Sequence, residues 1–189
     1  MINKQDLSQA NSALERLMQG NAVYLNSEIN ASDVSQKRRA DTYTNGQHPY
    51  AVVVSCADSR VIPEAIFSAG IGDLFVIRVA GNVVGNYELG SIEYAVEHLG
   101  CKLVVVLGHT GCGAVNAALN QNHGLVKHIT DEIKRAIGGE TNAEVASLKN
   151  VIHSVSKVEK AMSHAKNLLV IGVLYHTDSG VVDFLSEER

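Results

Sequence analysis

The stretch YAVVVSCADSR, residues 50–60, decides the fold. Its opening run, 50–55, is dominated by Val and carries no charge, and the chain turns polar at Asp58, Ser59 and Arg60. Apolar residues at consecutive positions over so short a run suit a strand buried on both faces, as in a parallel sheet covered by helices. Runs of the same texture stand at 74–79, 102–108 and 168–174. Helix-compatible segments lie between them at 63–68, 91–99 and 113–120, each bounded by Gly, Pro or Ser. The alternation predicts an α/β fold with a mostly parallel central sheet of about four strands flanked by helices. A turn signal at 177–180 followed by the run 181–185 adds an edge strand.

Upstream, Ala13, Leu14, Leu17, Met18, Ala22 and Leu25 recur at helical spacing and predict an amphipathic helix over 12–26. The polar stretch 26–47 holds one further helix-compatible fragment at 34–43. The expected organisation is a single domain over 1–189, with an N-terminal helical arm at 1–47 and an α/β core at 48–189. A chain of 189 residues is long enough to bury a real core.

The balance of 46% hydrophobic and 19% charged residues, with a mean hydropathy of +0.03, is that of an ordinary soluble globular protein. A net charge of -4 and a pI near 6.0 give no basic footprint, so nucleic acid is not an expected partner. The longest apolar runs, 103–107 and 168–174, fall far short of the roughly 20 residues a spanning helix needs, so no membrane is expected either. Residues 1–12 contain no apolar stretch with a small-residue cleavage site, and the expected location is cytoplasmic. Three cysteines cannot all pair, which favours metal or catalytic use over a disulfide framework. Cys101 opens a strand run and is expected to pack in the core.

In open parallel sheets ligands gather outside the carboxyl ends of the strands. Two motifs fall there, Ser55-Cys56-Ala57-Asp58-Ser59-Arg60 and Gly108-His109-Thr110-Gly111-Cys112-Gly113. Cys56, His109 and Cys112 offer the thiolate and imidazole donors of a catalytic zinc site, which keeps three protein ligands and one open position. Two thiolates cancel the formal charge of zinc, so the surrounding residues must compensate. Asp58, two residues after Cys56, would share its face on an extended strand end, and Arg60 can hold that carboxylate away from the metal by a bidentate ion pair. A second reading makes Cys56 or Cys112 a nucleophile with His109 as base. A phosphate-binding reading fails, because neither G-x-x-x-x-G-K-[ST] nor G-x-G-x-x-G is present at these glycines.

The spacing C-x-D-x-R followed by H-x-x-C resembles the β-class carbonic anhydrases. The likeness extends through residues 46–50, 75–82, 90–95 and 175–182, and residues 13–21 resemble the family's N-terminal helix. It thins over 120–150. The resemblance implies one zinc ion per subunit on Cys56, His109 and Cys112, with Asp58 and Arg60 as a gatekeeping dyad. It also implies that Gln47, Phe75 and Tyr94 line a narrow apolar substrate pocket, partly contributed by a second subunit, in a homodimer or tetramer. The implied reaction is reversible hydration of carbon dioxide to bicarbonate and a proton by a zinc-bound hydroxide that Asp58 orients. Alternatives on the same site are hydrolysis of carbonyl sulfide or carbon disulfide, or a noncatalytic zinc-bound binding module.

Overall fold

The computed structural model describes residues 7–120 and 124–185. The ends of the expected arm and core, 1–6 and 186–189, lie outside the described residues, as do 121–123. The elements run α1 (Ser8–Asn26), α2 (Gln36–Asn45), β1 (Ala51–Ser55), α3 (Pro63–Ile66), β2 (Leu74–Arg78), a 3-10 turn (Ala80–Asn82) and α4 (Asn86–Glu97). They continue through β3 (Leu103–His109), α5 (Gly113–Leu119), a second 3-10 turn (Gly124–Val126), α6 (Lys127–Ile137), α7 (Ala143–Ala161), β4 (Leu169–Tyr175) and β5 (Val182–Phe184).

The strands form one sheet in the order β2-β1-β3-β4-β5. The first four are parallel, and β5 joins the edge antiparallel to β4. The predicted sheet is therefore present, with its edge strand. All five residues of β1 and all seven of β3 are buried, because helices cover both faces. Successive side chains alternate between the two covers. Val53, Val105 and Val173 pack with Leu17 of α1 and Ile66 and Phe67 at the end of α3. Val52, Val54 and Val104 pack with Ile92 and Val96 of α4 and Val158 of α7. Each such fully buried aliphatic side chain contributes about 1.5–3 kcal/mol relative to exposure.

Helix α1 packs closely on the end of α3. A Cβ at Gly20 would meet the Phe67 carbonyl oxygen at 1.9 Å, so only glycine permits this approach. The buried Asn21 amide donates to the carbonyls of Ile66 and Gly180, and its oxygen accepts from Val182 N–H at 3.1 Å. One side chain thus ties α1 to both α3 and β5. Asp73 at the head of β2 accepts from Arg16 of α1 at 3.0 Å and from Arg38 of α2 at 2.8 Å. Cys101 is buried as expected, and its thiol donates to the Pro49 carbonyl at 3.3 Å.

Helices α6 and α7 have no counterpart in the sequence reading. The inward face of α7 is Ala146, Ser147, Asn150, Val151, Ser154 and Val158, half of it polar, and so presents no large apolar stripe. Its start is fixed by Asn142, whose side chain caps the N–H groups of Glu144 and Val145. Two residues facing Val151 of α7 are glycines: a Cβ at Gly108 would lie 2.3 Å from Val151 Cγ2, and one at Gly172 would lie 2.7 Å from Val151 Cγ1. The helix is seated almost on the backbone of β3 and β4.

Candidate metal centre

The chain leaves β1 for β2 on one side and later returns to β3 on the other, so the strand order reverses between the carboxyl ends of β1 and β3. That crevice is where ligands bind in doubly wound sheets. Cys56 follows the last residue of β1, and His109 is the last residue of β3. After His109 the chain bends through Gly111, whose φ of 66° lies in the left-handed region, and brings Cys112 to the start of α5.

The side chains converge. The Sγ atoms of Cys56 and Cys112 are 3.9 Å apart, and the ligand atoms of Cys56, His109 and Cys112 all lie within 4.8 Å of one another. All three residues are buried, His109 completely. The His109 Nδ1–H donates to its neighbour Thr110's carbonyl at 2.9 Å, which in the neutral ring puts the lone pair on Nε2. Nε2 has no hydrogen-bond partner among the described residues. A fully buried lone pair aimed at two thiols is costly unless something electron-poor accepts it. The group can hold a metal ion.

Electrostatics prepare the sulfurs unequally. The Cys56 thiol is lowered to about 4, first by the hydrogen bond from Cys112 and further by the N–H groups of Gly81 and Asp58, against the opposing effect of burial. The Cys112 thiol is pushed up by that same bond to Cys56 and by burial. Gly81 N–H stands 3.2 Å and Asp58 N–H 3.4 Å from Cys56 Sγ.

Asp58 and Arg60 form a bidentate pair, Nε to Oδ1 at 3.0 Å and Nη2 to Oδ2 at 2.8 Å, and Arg60 N–H also reaches Oδ1 at 3.0 Å. These bonds hold the Asp58 carboxyl well below the usual carboxylate range. Its Oδ2 lies 3.9 Å from His109 Nε2. Asp58 reaches the cluster by a different route from strand alternation. Strand β1 ends at Ser55, Asp58 N–H turns back onto Cys56 Sγ, and a turn closed by Val61 N–H on the Asp58 carbonyl carries the chain away after it. Arg60 additionally donates to the Gly111 carbonyl at 3.2 Å, tying the two loops together.

Comparison with known proteins shows the family. A family model described as carbonic anhydrase matches residues 51–182. A carbonic anhydrase of Mycolicibacterium smegmatis is 35% identical over 191 residues, covering 92% of both chains. Carbonic anhydrase 2 of Mycobacterium tuberculosis is 41% identical over 152 residues, covering 71% of this chain and 73% of that protein. The chain belongs to the β-class carbonic anhydrases. Solved structures of the family superpose over nearly its whole length. The β-carbonic anhydrase CcaA aligns with a TM-score of 0.69 at 26% identity, covering 94% of this chain and 93% of that one. The β-carbonic anhydrase CafA of Aspergillus fumigatus aligns with a TM-score of 0.69 at 26% identity, covering 96% and 93%.

Gln47, Phe75 and Tyr94 are not gathered at the cluster within one chain. Phe75 pairs with Val52, four positions before Cys56, or about 13 Å back along the strand. Its ring centroid is 6.1 Å from that of Tyr94, which is 47% exposed. Gln47 lines a surface hollow with Arg39, Thr42, Tyr43, Ile71 and Gly72.

Two contributors escaped the sequence reading. Arg78 donates from Nε to the Cys56 carbonyl at 3.2 Å and from Nη2 to the Asp58 carbonyl at 2.7 Å, bracing the loop from behind. Gly81 supplies the N–H on Cys56 Sγ. Arg78 closes its strand at the same sheet edge as both motifs, and that placement is the signal that could have found it.

Proposed function

We propose that this chain catalyses the reversible hydration of carbon dioxide on one zinc ion held by Cys56, His109 and Cys112. The observation that carries the reading is the bidentate Asp58–Arg60 pair standing 3.9 Å from the bare His109 Nε2. Two thiolates on a tetrahedral zinc at about 2.3 Å each would stand roughly 3.8 Å apart, close to the separation of 3.9 Å found here. A zinc ion in such a site supplies Lewis acidity that lowers the pKa of water and makes it a nucleophile near neutral pH.

The chain's own residues do the rest. Both Asp58 oxygens are engaged by Arg60, so the carboxylate is restrained from turning toward the cluster and would leave one coordination position of a bound metal open. Ionised and close to that position, Asp58 accepts a hydrogen bond from the attacking water and orients it toward the carbon of the substrate. Val83, Val115, Ala118 and Ile133 pack around the two cysteines and exclude bulk water on that side. The exposure of Tyr94 and Gln47, and the distance of Phe75 from Cys56 along the sheet, suit a pocket wall offered to the site of a second copy. The active unit in this reading is at least a homodimer.

Stopped-flow hydration of carbon dioxide by the zinc-loaded protein tests the proposal, with carbonyl sulfide hydrolysis measured alongside. Rapid carbon dioxide turnover that falls in Asp58→Ala is the expected result. Absence of hydration in a zinc-replete sample, or faster turnover of carbonyl sulfide, overturns it.

A further inference from the structure

The two thiolates of the proposed ligand set neutralise a divalent cation, so whatever draws charge off sulfur restores electron-withdrawing power to the metal. The Gly81 N–H on Cys56 Sγ is such a group. It belongs to the 3-10 turn Ala80–Asn82, where two consecutive residues hold left-handed backbone: Gly81 at φ 70° and Asn82 at φ 44°. That conformation is ordinary for glycine and uncommon for asparagine, so the turn persists only where its surroundings fix it.

Ile133 of α6 and Ala114 of α5 pack against Gly81, and α7 supplies the hydrogen bonds from side chains. The Asn150 amide donates to the Gly81 carbonyl at 2.7 Å, and the Ser154 hydroxyl donates to the Asn82 carbonyl at 3.2 Å. Both side chains are 1% exposed and stand one helical turn apart on one face of the helix. Val151, between them, sits against Gly108 and Gly172 of β3 and β4, which fixes the height of α7 over the sheet. Burying the Asn150 amide is a poor bargain for stability alone, since its Oδ1 has no partner among the described residues. Groups that break the rule of satisfied buried polars concentrate at functional sites.

We propose that Asn150 and Ser154 are positioning residues that clamp the Ala80–Asn82 turn and thereby aim the Gly81 N–H at the Cys56 sulfur, setting the electron donation of that ligand. They touch neither metal nor substrate. The inference rests on Cys56 being a metal ligand, as proposed above.

Cobalt(II) in place of zinc gives a sulfur-to-metal charge-transfer band that reads the electron density on the thiolates. In folded Asn150→Ala and Ser154→Ala, checked by far-ultraviolet circular dichroism, this band moves to longer wavelength because the sulfur loses a hydrogen bond. The zinc dissociation constant, read by competition with a chromophoric chelator, rises about tenfold or more, as for other outer-shell partners of a metal site. Ser147→Ala is the matched control, since Ser147 is buried on α7 and donates only to Ala143 of its own helix. The control keeps the parent's band and affinity. If Asn150→Ala does not fold, Ser154→Ala alone decides. A band at the parent's position in a folded variant overturns the inference, and so does an equal shift in Ser147→Ala. A parent protein with no thiolate band sinks the ligand assignment itself, and this inference with it.

Discussion

Residues 56–60 and 109–112 meet the cluster with the chemistry itself: thiols, an imidazole and a carboxylate locked to a guanidinium. Helices α6 and α7 border the same cluster with Ile133, Ile137 and Ala146, and with hydrogen bonds to backbone carbonyls of the turn at 80–82. The sheet edge therefore assembles the site, whereas the helical layer determines how firmly its backbone is held. Each role has its own kind of mutational effect.

The largest effect is expected at the sheet edge. Cys56→Ala removes a proposed zinc ligand, and its loss of zinc affinity should exceed the roughly hundredfold upper end for outer-shell partners. Elemental analysis after dialysis checks this; full retention of zinc would move the metal away from the switch point. Next comes Arg60→Ala, which frees the Asp58 carboxylate while leaving the three ligands in place. Hydration activity is expected to fall about 10- to 100-fold with zinc content unchanged. Unaltered turnover in that variant would reduce the pair to a surface ion bridge.

The helical layer answers in stability. Gly108→Ala places a methyl group 2.3 Å from Val151 Cγ2, and overpacking of that kind costs about 1–3 kcal/mol. A lower urea midpoint is the readout, and a midpoint equal to the parent's would mean that α7 can slide on the sheet. The smallest effect belongs to Asn142→Ala, which removes the cap of α7 far along the helix from Asn150 and Ser154. A loss of about 1 kcal/mol with zinc content unchanged is expected. If capping alone altered zinc binding, the clamp would depend on the whole helix and not on its two donors.

Much of the sheet was legible because buried parallel strands are nearly uniform runs of Val, Ile and Leu, and the chain punctuates them with Gly, Pro and Ser. The N-terminal helix begins four residues earlier than its apolar spacing suggested, at Ser8 and not at residue 12, and α4 begins at Asn86 and not at residue 91. Polar first turns carry little periodicity, so helix starts are read late. Helices α6 and α7 went unread because close approach of a helix to a glycine-lined sheet selects small and polar residues, which erase the apolar stripe. Phe75 and Tyr94 show the opposite limit: only the family resemblance implied a place for them in a substrate pocket shared with a second subunit, and within one chain their rings pair with each other.

The sequence by itself determined the α/β alternation, the pairing of C-x-D-x-R with H-x-x-C, and the position of both after strands, since strand propensity, glycine turns and donor chemistry are local properties of residues. Tertiary structure alone decided the rest. Cys56 and Cys112 are separated by 56 positions, and only the pairing of β1 with β3 brings their sulfurs to 3.9 Å. The turn at 58–61 and the hydrogen bonds from α7 to the turn at 80–82 act on backbone carbonyls, which every residue carries, so no side-chain pattern announces which of them is bound.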